Sequence, residues 1–268
     1  MKVAALQMTS GADVARNLAS AGELLEQAAA QGACIAALPE NFAFMGRSAA
    51  DRRAVAESPG EGPIQAFLSQ SARRLGLWIV AGTIPLKLAQ EPRPAAACLV
   101  FNERGVCSAR YDKMHLFDVD VPGGSESHRE SAHIAPGRGA TLVDTPAGRL
   151  GLAVCYDVRF PELFRHLSAQ GATWFVLPSA FTVPTGTAHW ETLLRARAIE
   201  NLANIVAPAQ SGSHDNGRVT YGDSLIVDYW GRVLARLPHG QGIVVADFDA
   251  AGQSAARSSF PALAHRVM

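Results

Sequence analysis

Charge is scarce in this sequence and it cancels: 18% of the 268 residues are charged, with 24 Lys and Arg against 24 Asp and Glu. Without a basic field a protein cannot release counterions from a polyanion, so nucleic acid is excluded as a partner and a small molecule is expected. No apolar run approaches eighteen residues, and no membrane span or membrane partner is expected. Met1–Ser10 carries one charge and lacks the long apolar stretch of a secretory leader, which predicts a cytoplasmic location. The four cysteines, Cys34, Cys98, Cys107 and Cys155, contain no C-x-x-C pair and no Cys/His spacing of a zinc site, so neither a disulfide framework nor a metal is expected. The sequence also lacks G-x-S-x-G, a P-loop and H-E-x-x-H. Gly137-x-Gly139 has no third glycine and opens no helix, which leaves no cofactor motif.

What is present is apolar. Hydrophobic residues make up 48% of the chain, and the 24 glycines and 15 prolines are spread without a biased tract. This fits one globular domain, 1–268, since a chain near 300 residues buries roughly 75% of its unfolded surface. Val3–Met8, Cys34–Leu38, Leu77–Ala81, Trp174–Leu177 and Ile205–Ala209 read as buried strands. Leu18, Ala21, Leu24, Leu25 and Ala28 recur at helical spacing before Gly32. Ile64, Phe67, Leu68, Ala72 and Leu75 do so before Gly76. Further helices are expected over Pro161–Ala169 and Ala188–Leu202, and further strands over Ser224–Asp228 and Ile243–Phe248. Ala97–Phe101 with Val106–Tyr111, and Thr141–Asp144 with Leu150–Val154, read as hairpins. Hairpins interrupting a helix–strand alternation predict α/β architecture with a mixed sheet, or two sheets covered by helices. Leu116–Arg138 shows little periodicity and reads as one long loop of the kind that carries function.

Three ionisable residues share one context. Glu40, Lys113 and Cys155 each follow a predicted strand, and in α/β sheets the carboxyl ends of strands are where ligands bind. Gly151–Asp157 runs strand, cysteine, tight turn, the logic of a nucleophile elbow in which the next backbone N–H faces the site. The thiol requires activation, by a cation such as Lys113 or a carboxylate base such as Glu40. The remaining cysteines sit in strand-like runs as small buried hydrophobes. His115, His128, His133, His189 and His214 could serve a Cys–His hydrolase, but each sits in a polar loop or at a helix start.

Leu38-Pro39-Glu40-Asn41, the segment Tyr111–Asp118 (YDKMHLFD) and Gly151–Phe164 (GLAVCYDVRFPELF) together resemble the nitrilase superfamily of carbon-nitrogen hydrolases. PSAFTVPTGTAHWETLLRARAIEN and YGDSLIVDYWGRV extend the likeness along almost the whole chain. The resemblance implies a four-layer α-β-β-α sandwich with mixed sheets that pairs into a homodimer, and a cofactor-free amidase. Cys155 would attack the amide carbonyl, Glu40 would move protons, and Lys113 with the backbone N–H of Tyr156 would hold the oxyanion. A second glutamate of the family aligns with Glu130, with Glu126 as its rival. Within the superfamily the CYDVRFPE stretch resembles the Nit branch, whose enzymes hydrolyse amides of a 2-oxoglutaryl group, on deaminated glutathione or on 2-oxoglutaramate. By that likeness Arg159 would clamp a 2-oxo acid carboxylate, and Phe181 and Thr185 would line the same pocket. A salt bridge from Arg159 to Glu162 or Asp157 is the structural alternative. A binding protein that kept the fold, and an acyltransferase, are the readings outside amide hydrolysis.

Overall fold

The computed structural model describes residues 1–121 and 127–267. The chain begins β1 (Lys2–Gln7), α1 (Val14–Ala30), β2 (Ile35–Ala37), α2 (Ala49–Ala54), α3 (Pro63–Leu75) and β3 (Trp78–Val80). It continues through β4 (Ile84–Leu88), β5 (Glu91–Phe101), β6 (Cys107–Asp112), β7 (Asp118–Asp120), β8 (Ser127–Arg129), β9 (Leu142–Thr145) and β10 (Gly148–Leu152). Then come α4 (Pro161–Ala169), β11 (Trp174–Val176), α5 (Val183–Asn201), β12 (Asn204–Ala207), β13 (Ser211–Ser213) and β14 (Val219–Tyr221). The last elements are β15 (Ser224–Val227), β16 (Val233–Leu237), β17 (Gly242–Asp247) and α6 (Ala250–Ser259).

Two mixed sheets carry the fold. One has the order β17-β1-β2-β3-β5-β4 with β6 on β5, the other β16-β15-β12-β11-β10-β9. The pleat sorts the first sheet's residues between two cores. Val3, Ala5, Ile35, Ala37, Val80, Cys98 and Val100 point into a cluster shared with the second sheet, α4 and α5. Their neighbours Ala4, Leu6, Ala36, Leu38, Ile79, Ala81 and Leu99 point the other way, onto Leu24 and Leu25 of α1 and Leu68 and Ala72 of α3. A strand buried on both faces reads as a continuous apolar run, which is why these segments lack alternation. The layers are therefore helix, sheet, sheet, helix, the expected α/β sandwich.

Several expectations shift. The predicted helix 188–202 begins earlier, at Val183, because the Thr182 side chain caps it and a proline occupies its first turn. The predicted loop 116–138 holds the small β7–β8 ladder and a 3-10 turn, Glu130–Ala132. Cys107 is exposed and Cys34 half-buried, so of these three thiols Cys98 alone is a buried hydrophobe. Among the described residues β6 pairs with β5 alone, at the edge of the first sheet. Among the described residues no helix is long and apolar enough to cross a membrane.

Candidate active site

The three sequence-predicted residues lie just past the carboxyl ends of β2, β6 and β10, and the fold brings them together. Glu40 follows β2 through Leu38-Pro39, a path held by Leu38 N–H donating to Val80 O at 2.9 Å and Asn41 N–H donating to Thr83 Oγ1 at 2.9 Å. Gly82 makes that path possible: at φ +53°, a Cβ there would stand 1.9 Å from the Pro39 carbonyl oxygen. Gln210 Nε2 donates to the Glu40 carbonyl at 3.0 Å from the opposite half of the molecule.

Lys113 leaves β6 with its backbone pinned on both sides, its N–H donating to Ala96 O at 3.0 Å and its carbonyl accepting from Gly137 N at 2.8 Å. Its Nζ donates to Glu40 Oε1 at 2.8 Å and to Glu130 Oε2 at 2.8 Å and Oε1 at 3.0 Å. Lys113 as a residue is 1% exposed and Glu40 4%. Burial alone would strip the proton from Lys113, but the charges of Glu130 and Glu40 outweigh it and hold the ammonium well above its ordinary range. Glu130 shows the complementary balance: burial pushes its carboxyl up, while Lys113 and the Phe117 N–H, donating at 2.7 Å, pull it below the usual carboxylate range. The alternative second glutamate, Glu126, lies outside the described residues.

Cys155 opens a 3-10 turn, Cys155–Arg159, with φ +49°, a strained value for a residue bearing a Cβ. The turn is built around Asp157, fully buried, whose Oδ2 accepts from Val154 N at 2.7 Å and from Tyr111 OH at 2.8 Å. Its Oδ1 accepts from His115 N at 3.2 Å and sits 2.7 Å from His115 Nδ1. One carboxylate thus ties the end of β6, next to Lys113, to the turn that aims the thiol. From sequence Asp157 reads as the end of the elbow segment or as a partner for Arg159; this tie is not legible there, since burial of a carboxylate leaves no mark on spacing. The Glu40 carboxylate and the Ala180 N–H both act on the sulfur. Burial, reinforced by the Glu40 charge and opposed by Lys113, pushes the thiol far up, so the resting sulfur is protonated with a carboxylate base in contact.

These groups line a cavity of about 390 Å³, within the range that encloses a drug-sized ligand. Tyr156, Arg159, Phe181 and Thr185 are on its wall. Arg159 pairs with neither Glu162 nor Asp157. Its guanidinium lies 5.5 Å from the Phe181 ring centre and 5.9 Å from that of Tyr156, with Nη1 3.2 Å from His189 Nδ1. None of the five histidines touches the thiol through a hydrogen bond; His214 is buried between Ser10 O at 2.8 Å and Thr220 Oγ1 at 2.7 Å, and burial lowers its proton affinity. Arg52, Asn216 and Arg218 also line the cavity and were not singled out from sequence. Among the described residues no cluster of His, Cys, Asp and Glu could hold a metal ion.

The carbon-nitrogen hydrolase family profile matches residues 2–257. A protein of Yersinia enterocolitica named deaminated glutathione amidase is 42% identical over 264 residues, which cover 98% of this chain and 92% of that protein. Among solved structures, the NitFhit protein of Caenorhabditis elegans superposes with a TM-score of 0.93 at 38% identity, over 99% of this chain and 65% of that one. Saccharomyces cerevisiae Nit3, described as a member of branch 10 of the nitrilase superfamily, does so with a TM-score of 0.88 at 30% identity, over 97% of this chain and 94% of its own.

Proposed function

This chain belongs to the carbon-nitrogen hydrolase family and is an amidase, and from that premise we propose that it cleaves the 2-oxoglutaryl amide of deaminated glutathione through Cys155. The observation that carries this reading is the buried constellation in which one carboxylate, Glu40, bonds the Lys113 ammonium and acts on the Cys155 thiol.

The mechanism follows from those contacts. Glu40 takes the thiol proton as sulfur bonds to the amide carbon, which avoids forming a free thiolate in a buried site. The carbonyl oxygen, now negative, accepts from Lys113 Nζ and from the Tyr156 N–H. That N–H lies in the first turn of a 3-10 segment and has no acceptor within it. Collapse breaks the C–N bond while Glu40 returns its proton to the departing amine, leaving a thioester on Cys155. Water then gives its proton to Glu40 and attacks the thioester, and the proton passes back to sulfur as 2-oxoglutarate leaves. Glu130 takes no proton in this sequence; it fixes Lys113 through two short contacts and keeps it charged.

Arg159 holds the carboxylate of the 2-oxoglutaryl group. Its guanidinium lies over the rings of Tyr156 and Phe181 on the cavity wall, which Thr185 also lines, and a planar fork there can take a carboxylate with two hydrogen bonds. Release of 2-oxoglutarate from deaminated glutathione and from 2-oxoglutaramate, measured side by side, tests the assignment. A kcat/KM at least about tenfold higher on the peptide supports it, and the reverse preference makes the enzyme an omega-amidase. Arg159→Lys is expected to raise KM for either substrate by roughly tenfold, since a point charge replaces a fork. Unchanged KM values would remove Arg159 from the substrate site.

The active form is a homodimer in the cytoplasm. Trp230 and Phe260 pack 5.8 Å apart yet stay about half exposed, next to Ile199, itself 50% exposed, against Gly231. An apolar patch of that kind calls for a covering surface. Sedimentation equilibrium should give twice the 28.3 kDa chain mass, and Trp230→Lys should halve it. A monomeric wild type would reject the pairing.

A further inference from the structure

Lys113 and Arg159 are not the only cations on the cavity wall: Arg52 and Arg218 reach it as well, and neither has an ion-pair partner among the described residues. Arg52 stands on α2, a six-residue helix fixed by a reciprocal cap in which Ser48 Oγ accepts from Asp51 N at 3.1 Å and Asp51 Oδ2 accepts from Ser48 N at 3.0 Å. Arg218 stands in the turn between β13 and β14. Its Nη2 donates to Ala180 O at 3.1 Å, the same residue whose N–H acts on the Cys155 sulfur. The two carriers are tied together where Asn216 Nδ2 donates to Gly46 O at 3.1 Å. Burial lowers the proton affinity of Arg52, the carboxylates of Glu130 and Glu40 raise it, and the charge of Arg218 lowers it again, so the two guanidiniums feel each other. Two like charges held over one cavity by separate sets of hydrogen bonds are a fixed cost unless an anion joins them.

Arg159 belongs to a different element, the 3-10 turn behind the nucleophile, and stacks on different partners. An amide that reacts at Cys155 extends on two sides, acyl and amine, and Arg159 is committed to the acyl side. We propose that Arg52 and Arg218 form a second carboxylate subsite on the amine side, which selects amides whose leaving amine ends in a carboxylate, such as a dipeptide acid, over amides of ammonia. The inference rests on the 2-oxoglutaryl-amide reading and extends it to the other half of the substrate. It gives the preference for the peptide a physical origin, because 2-oxoglutaramate has nothing to place there.

The test measures kcat/KM of the full-length enzyme for deaminated glutathione and for the same compound with its terminal carboxylate converted to a carboxamide, in wild type, Arg52→Gln and Arg218→Gln. In wild type the carboxamide should be poorer by roughly ten- to a hundredfold, mainly in KM, the loss expected for a charge-assisted contact. In each variant that gap should close to about threefold or less. The ratio cancels any loss of folded enzyme, so a destabilised variant still reports, and if neither variant can be purified the wild-type comparison decides alone. A wild type that hydrolyses acid and carboxamide equally well overturns the subsite and leaves the proposed function standing; so does a gap that persists in both variants. Inactivity of wild type on the acid, the carboxamide and 2-oxoglutaramate overturns both readings.

Discussion

Cys155→Ala is expected to lower kcat by at least about 10⁴-fold while the fold survives, because losing the nucleophile of a covalent mechanism leaves only the residual catalysis of binding and oxyanion contacts. Structural cost should be small. The sulfur lies at the cavity wall, 7% exposed, and its removal leaves the Lys113 contacts to Glu40 and Glu130 in place. The backbone strain at φ +49° is the same for alanine, since both residues carry a Cβ. The turn is held by Asp157 and by the Cys155 N–H donating to Pro178 O at 2.9 Å, neither of which involves the thiol. Thermal unfolding should therefore shift by only a few degrees, about 1 kcal/mol. Intact-mass spectrometry of wild type quenched during turnover should show a 2-oxoglutaryl adduct that the variant lacks. Retention of more than about 1% of the activity in Cys155→Ala, well above the residual just described, would refute the thioester mechanism.

What could be read from the sequence divides along a physical line. Segments buried on both faces, such as Val3–Met8 and Trp174–Leu177, were legible because burial writes a continuous apolar run. Helices α1 and α3 were legible because one face is apolar and a glycine, Gly32 or Gly76, follows with positive φ. Elements without such a signature were missed. α2 and α6 are short and built of small and polar residues, and α6 is held by Gln253 and Arg257 donating to the carbonyls of Thr173, Leu202 and Ala172 rather than by an apolar stripe. β4 contains Pro85 and an irregularity between Leu86 and Leu88, which hides its hairpin with β5. The site divides in the same way. Glu40, Lys113 and Cys155 could be picked out because each follows a strand and matches a family motif. Arg52 and Arg218 look like solvated surface charge in one dimension; only the cavity gives them a shared direction.

Lys113→Met should have the second large effect, on stability as well as rate. Methionine approximates the length of the lysine stem but brings no charge, so Glu40 and Glu130 are left buried beside each other without their shared cation. Breaking a buried pair by removing one partner typically costs about 3–5 kcal/mol. Arg52, whose charge already reaches both carboxylates, offsets part of that loss but makes no direct contact with either. Loss of an oxyanion donor should lower kcat by a further factor of about 10² to 10³.

The pH dependence separates this account from simple loss of packing. In wild type the Glu130 carboxyl is held below its ordinary value, so its contribution to stability is present above the unfolded pKa of about 4.3 and is lost as pH falls through the folded value. Lys113 is held high, so its contribution is complete below its unfolded pKa of about 10.4 and is lost only at more alkaline pH. Wild-type stability from this cluster should therefore be flat between roughly pH 5 and 9. In Lys113→Met the burial of Glu130 remains but the attraction that overcame it is gone, and the neighbouring Glu40 now repels. At least one of the two carboxyls then has a folded pKa above its unfolded value, and its sign inverts: stability is greatest at low pH and is lost as pH rises through the raised pKa. Denaturant unfolding at pH 5 and pH 8 should show the variant gaining at least about 1 kcal/mol at the lower pH, while wild type changes little over the same interval. Parallel pH profiles for the two proteins would mean that Lys113 does not neutralise the carboxylates it touches, and its role as the charged oxyanion donor would fall with that.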